Sequence, residues 1–157
     1  MDKVSPLRIK TLLEIYADSS KTFTVTIDRL PDVTALGPNS RRHRYKGKDS
    51  YNQQFQEQKI YAYGKIIEEI QATGKPKPFT KDRRGVLTFY FIAGDNRKKD
   101  VDNCISACKA WVDALKEAGI IDDDNWQVLP IIKAIYQVGV KNKPKTIIEI
   151  KEQPNEY

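Results

Sequence analysis

"GVLTFYFIAGDNRKKDVDNCISACKAWVDALKEAGIIDDDNWQV", residues 85–128, changes its hydrophobic period twice, and the fold follows from that change. Residues 85–94 are an almost unbroken apolar run. They read as a strand, dense enough to predict cover on both faces. From about Asp102 to Ala118 the apolar positions recur at helical spacing, with Gly119 placed to cap the C-terminus. The alternation resumes in "WQVLPIIKAIYQVGV", a further strand, and after the turn-like "KNKPK" in "KTIIEIKE".

Upstream, "TFTVTIDRL" alternates apolar and polar residues and predicts a strand over 22–30. Pro31, Gly37, Pro38 and Gly47 then break regular structure, and helical spacing from Tyr51 to about Ala72 predicts a long helix. "GKPKPFTKDRR" reads as a loop, and the apolar residues of 1–20 suit either a short helix or an extra strand. The order β-α-β-α-β-β predicts an α/β (α+β) fold. The expectation is a single compact domain over 21–157, with a mixed sheet of about four strands and two main helices, preceded by an N-terminal extension over 1–20.

The chain has 157 residues, 39% hydrophobic and 31% charged, as expected of a soluble globular domain with its own core. Its net charge of +6 favours an anionic partner, nucleic acid before a membrane surface. No apolar stretch approaches the roughly 18 residues of a membrane-spanning helix. Cys104 and Cys108 lie on the expected helix, far in sequence from the one histidine, His43. They read as buried small residues rather than zinc ligands, and a reducing, cytoplasmic compartment fits.

Against this basic background the acids are gathered. With Asp102 at zero on the expected helix, Ser106 falls near about +40°, Lys109 near about −20° and Asp113 near about +20°, so the four share one polar stripe. Cys104, Cys108, Trp111, Val112 and Leu115 form the opposite, core-facing side, and Ala107, Ala110, Ala114 and Ala118 a flank open to close approach. Asp102 suits an N-cap, with Asp100 just outside the helix. A solvated stripe with a Lys109–Asp113 pair worth about 0.2–0.5 kcal/mol is the plain account. Asp122, Asp123 and Asp124 can meet Asp100 and Asp102 only if the chain doubles back after Gly119 or a second subunit supplies the acids; an antiparallel return would carry them away.

"KKDVDNCISACKAWVDALKEAGIIDDDNW" resembles the RusA family of Holliday junction resolvases, whose pattern is Asp-x-Asp-Asn, a helical lysine, Asp-Ala-Leu, a glycine and Asp-Asp. The similarity runs over roughly residues 22–152, and its most specific part is Asp-x-Asp-Asn with Asp-Asp. The resemblance implies that Asp100 and Asp102 match the first two catalytic acids and Asn103 the asparagine. Asp123 and Asp124 match the acidic pair, with Asp124 as the catalytic member. The family lysine follows the second aspartate by four residues, where this chain has Ser106; Lys109, seven on and on the same helix face, takes the role here. Asp122 makes the acidic cluster one longer than the pattern. Family membership further implies a homodimer that binds four-way DNA junctions and cuts them in pairs with Mg²⁺, or Mn²⁺ in its place.

Phosphodiester hydrolysis needs an activated water and neutralisation of charge on phosphorus and the leaving oxygen, all of which a carboxylate-held Mg²⁺ supplies. Expected metal ligands are Asp100, Asp102, Asp123 and Asp124, with Lys109 stabilising charge. Expected DNA contacts are Arg41, Arg42, Arg44, Lys46 and Lys48 in one basic loop and Arg97, Lys98 and Lys99 in another. Two other readings stand beside this one. Glu149-Ile-Lys151 with Asp32 faintly matches restriction-type nucleases, and a non-catalytic basic protein that binds branched DNA or a replication or recombination partner protein would carry the same charges.

Overall fold

A computed structural model describes residues 22–38 and 44–154, and over 44–50 the backbone alone. The 1–20 extension, Arg41 and Arg42 lie outside the described residues.

Strand β1, Thr22–Ile27, follows its sequence pattern: Phe23, Val25 and Ile27 are buried while Thr24 and Thr26 face out. It stops short of the expected residue 30, because Leu30 precedes a proline that has no N–H to give the ladder. Helix α1, Val33–Leu36, stands where a loop was expected, capped by Asp32, whose Oδ1 accepts from Ala35 N at 3.0 Å. Helix α2 spans Arg44–Thr73 and so begins before Tyr51, running through Gly47. A single glycine in a long helix costs about 1 kcal/mol, too little to stop it. At the other end Gly74, at φ +89°, terminates α2.

Strand β2, Gly85–Ala93, leads through a loop into α3, Val101–Ala107, and α4, Lys109–Glu117. The expected single helix is therefore broken at Cys108. The Cys108 N–H bonds Ile105 O, and Trp111 N bonds Cys108 O, a tighter i to i+3 pattern that shifts the two halves out of phase. Gly119, at φ +76°, ends α4 as expected: its N–H reaches Lys116 O, and Ile120 N reaches Leu115 O, the paired bonds of a Schellman turn.

Strands β3, Ile131–Val138, and β4, Lys145–Glu152, complete a four-stranded mixed sheet of order β1-β4-β2-β3. β3 runs parallel to β2, with Phe89 opposite Ala134, and β4 lies antiparallel to both β2 and β1. The antiparallel return considered for the chain after Gly119 is thus replaced by a parallel crossover. Since β3 and β4 sit on opposite sides of β2, the 139–144 connection is no hairpin. It straps across the C-terminal end of β2, where Gly139 N donates to Ala93 O at 2.8 Å and Asn142 N to Gly94 O at 3.0 Å. Gly94 is needed there, because a methyl group would stand 3.0 Å from Asn142 N.

One face of the sheet holds the core. Phe89, Phe91, Ile148 and Val25 meet Ile66 of α2 and Trp111 and Leu115 of α4. Burying each such side chain stabilises the fold by about 1.5–3 kcal/mol. The alanine flank is buried: Ala107, Ala110, Ala114 and Ala118 are all covered, and α4, which carries Ala110 and Ala114, packs on α2. On the second face of β2 the cover is partial: Thr88 is buried, while Val86, Tyr90 and Ile92 are half-buried. Among the described residues no helix is long and apolar enough to cross a membrane.

Candidate acid and lysine site

Asp100, not Asp102, is the N-cap residue of α3, with extended backbone at φ −82° and ψ 121°. Its carbonyl accepts from Cys104 N at 3.2 Å, while its carboxylate makes no capping bond and takes a 3.4 Å bond from Asn103 Nδ2. Asp102 sits in the first helical turn, where its Oδ1 accepts from Asn103 N at 3.0 Å. The positive end of a helix favours carboxylates at both positions. Both are exposed, and among the described residues neither has a cationic partner within ion-pair distance. Ser106, on the expected stripe, turns its hydroxyl back to Asp102 O at 3.1 Å.

The second acidic group is positioned by a loop. Phe79 N bonds Ile120 O and Asp122 N bonds Phe79 O, at 3.0 and 2.9 Å, which holds the chain after the Schellman turn against the core. From there it folds back along α4. Asp123 Oδ1 accepts from Lys116 Nζ at 3.3 Å and from Asp124 N at 2.8 Å, and Oδ2 accepts from Asn125 Nδ2 at 3.1 Å. Asp124 meets Lys109, whose ammonium also pairs with Asp113 at 3.2 Å. Lys109 thus joins two acids eleven positions apart in sequence, and Asp122 stays exposed.

These contacts set the electrostatics. Partial burial is the largest single influence on Lys109 and works against its charge, but hydrogen bonds and charge from Asp124 and Asp113 together outweigh it and raise the pKa. The Asp124 N–H and then the Lys116 ammonium hold the Asp123 carboxyl below its usual range. Burial pushes the Cys104 and Cys108 thiols up, as expected of inert core cysteines rather than metal ligands.

Mg²⁺ takes hard oxygen donors, keeps several waters and is commonly held by one or two carboxylates. Asp100 and Asp102 meet that minimum. Asp123 and Asp124 are engaged by Lys116 and Lys109 instead, and among the described residues no three acidic, histidine or cysteine side chains come together as a metal cluster.

Among the basic candidates, Arg97 is folded onto Asp95, with an ion pair at 2.9 Å and a backbone bond from Arg97 N at 3.0 Å. Lys98 and Lys99 are exposed beside Asp100. Arg44, Lys46 and Lys48 lie in the first turns of α2 rather than in a loop, and their side chains are outside the described residues. Two features escaped the sequence reading. Trp126, expected at the start of a strand over 126–140, lies before β3, which begins only at Ile131, and is 71% exposed beside the acidic triplet. The strap was read only as the turn "KNKPK", residues 141–145, with Gly139 and Val140 in the strand before it, since only strand order reveals what it crosses. No protein-family model matches this chain, and no curated protein matches it in sequence.

Proposed function

We propose that this protein is a divalent-metal-dependent endonuclease of the RusA type that cuts four-way DNA junctions in pairs, acts as a homodimer and works in the cytoplasm. The observation that carries the reading is the bridging of Asp113 and Asp124 by Lys109 on α4, the helix that follows α3, at whose N-terminus stand Asp100 and Asp102, neither with an ion-pair partner among the described residues. Three residues matched to the resolvase pattern, Lys109, Asp113 and Asp124, thereby meet although they lie up to 15 positions apart in sequence. Asp100 and Asp102 would hold the metal, and Asp124 and Asp123 would join once released by their lysines or supplied across a two-fold axis. When bound, Mg²⁺ polarises the phosphate and lowers the pKa of the attacking water. Lys109, kept protonated by its two carboxylates, offers a fixed positive charge to the developing phosphorane. Lys98 and Lys99, next to the acids, hold the backbone.

One observation favours a second reading, a basic protein that binds branched DNA without cutting it. Two of the four expected acids are closed by lysines within the protomer. A synthetic mobile junction and a linear duplex, each incubated with Mg²⁺ and with EDTA, separate the two. Paired nicks on the junction alone, abolished by Asp100→Asn or Asp102→Asn, support the resolvase. Binding without cutting supports the second reading, and cutting by both variants at the wild-type rate refutes the site.

A further inference from the structure

The strap between β3 and β4 carries the sequence "GVKNKPK", residues 139–145, with three lysines and no acid. Topology brings it to the acid-bearing loop. β3 and β4 flank β2, so the connection crosses the end of β2 and is bonded there to Ala93 O and Gly94 O. Gly94 is the residue from which 95–100 departs, so Lys141, Lys143 and Lys145 stand at the same end of the sheet as Lys98, Lys99 and Asp100. Asn142, at φ +60°, makes the sharp bend that a short polar side chain tolerates. All three lysines are exposed, and among the described residues none has an ion-pair partner.

Below the strap lies a cleft of about 550 Å³, lined by Ile92, Val140, Lys143, Lys145 and, on the β1 side, Asp28. Asp28 does not make the cleft repel an anion, because Lys65 of α2 pairs with it at 3.0 Å. The cleft therefore offers uncompensated positive charge.

We infer that the 139–145 strap is a second contact for the phosphodiester backbone of a DNA arm, extending the Lys98–Lys99 surface across the C-terminal end of β2. This deepens the proposed nuclease reading and rests on DNA being the substrate. The compensated Asp28, the three lysines without ion-pair partners among the described residues and the strap's place beside the Lys98–Lys99 surface together favour a polyanion that passes the site rather than a small ligand within it.

The test is a salt titration of binding to a labelled four-way junction and a duplex, in EDTA so that no cutting intervenes. It compares the wild type, Lys141→Gln/Lys143→Gln/Lys145→Gln, and a charge-matched control, Lys75→Gln/Lys77→Gln/Lys81→Gln, at the opposite end of the sheet. Each phosphate contact contributes about 0.9 to the slope of log K against log salt. The strap variant is expected to lose about 2 in slope and bind roughly tenfold more weakly at low salt, with the control near wild type. An unchanged slope in the strap variant, or an equal loss in the control, overturns the strap contact even if junction cleavage is intact. A wild type that binds but never cuts removes the nuclease reading, and the slopes still decide the strap. A wild type that binds no DNA removes both.

Discussion

Replacing Lys109 with methionine separates a structural lysine from a chemical one. Lys109 is about half exposed, and its partners Asp113 and Asp124 are each under a third exposed, so both pairs belong to the screened, surface class. Such pairs are worth about 0.2–1 kcal/mol each, so their joint loss should cost about 1 kcal/mol. For a chain of this size that lowers Tm by roughly 2–4 °C. Removing a charge that faces the transition state costs far more, about 100-fold or greater in rate, near 2.7 kcal/mol. The raised Lys109 pKa keeps the lysine charged: the stability it adds is fully present below about pH 10.4, its unfolded value, and fades only as pH rises through the folded value. Both effects are therefore readable at pH 8. The assay pairs a thermal melt with single-turnover cleavage of a labelled junction in Mg²⁺. A Tm drop of a few degrees with a rate loss of two decades fits the proposal. Unaltered cleavage would make Lys109 a surface brace and refute the assignment.

Phe89→Ala should destabilise the fold by about 3–5 kcal/mol in urea unfolding, since Phe89 is 1% exposed and stacks on Phe91 at 5.6 Å; a loss below about 1 kcal/mol would contradict the core described. Gly119→Ala should cost about 1 kcal/mol, because φ +76° strains any L side chain, whereas the nearby Lys75 Nζ can move aside; an unchanged melt would deny the Schellman turn its part in ending α4. The depressed Asp123 carboxyl adds stability that is complete above its unfolded pKa of about 3.9 and is lost as pH falls through the lower folded value. Asp123→Asn should accordingly flatten the acid limb of a Tm–pH profile, and an acid limb of unaltered slope would place the Lys116 contact outside the folding equilibrium.

Sequence alone determined what depends on neighbours along the chain. Alternation in "TFTVTI" and the apolar density of 85–93 set the strands. Helical spacing put Trp111 and Leu115 in the core, and the glycine at 119 stopped the helix, because only that residue type enters the left-handed region cheaply. The acids were visible too, through their spacing and not their surroundings. Other features depended on the whole fold. The break at Cys108, marked by the bonds from Cys108 N to Ile105 O and from Trp111 N to Cys108 O, has no counterpart in the apolar period, and the half-buried second face of β2 follows from where the helices settled. Whether β3 runs parallel to β2 is a matter of which sheet edge is free, a long-range competition among backbone hydrogen bonds. That choice turned a short lysine-rich connection into a strap over the end of β2, while the loop held by Phe79 brings Asp124 to Lys109, because partners in electrostatics are chosen by distance in space.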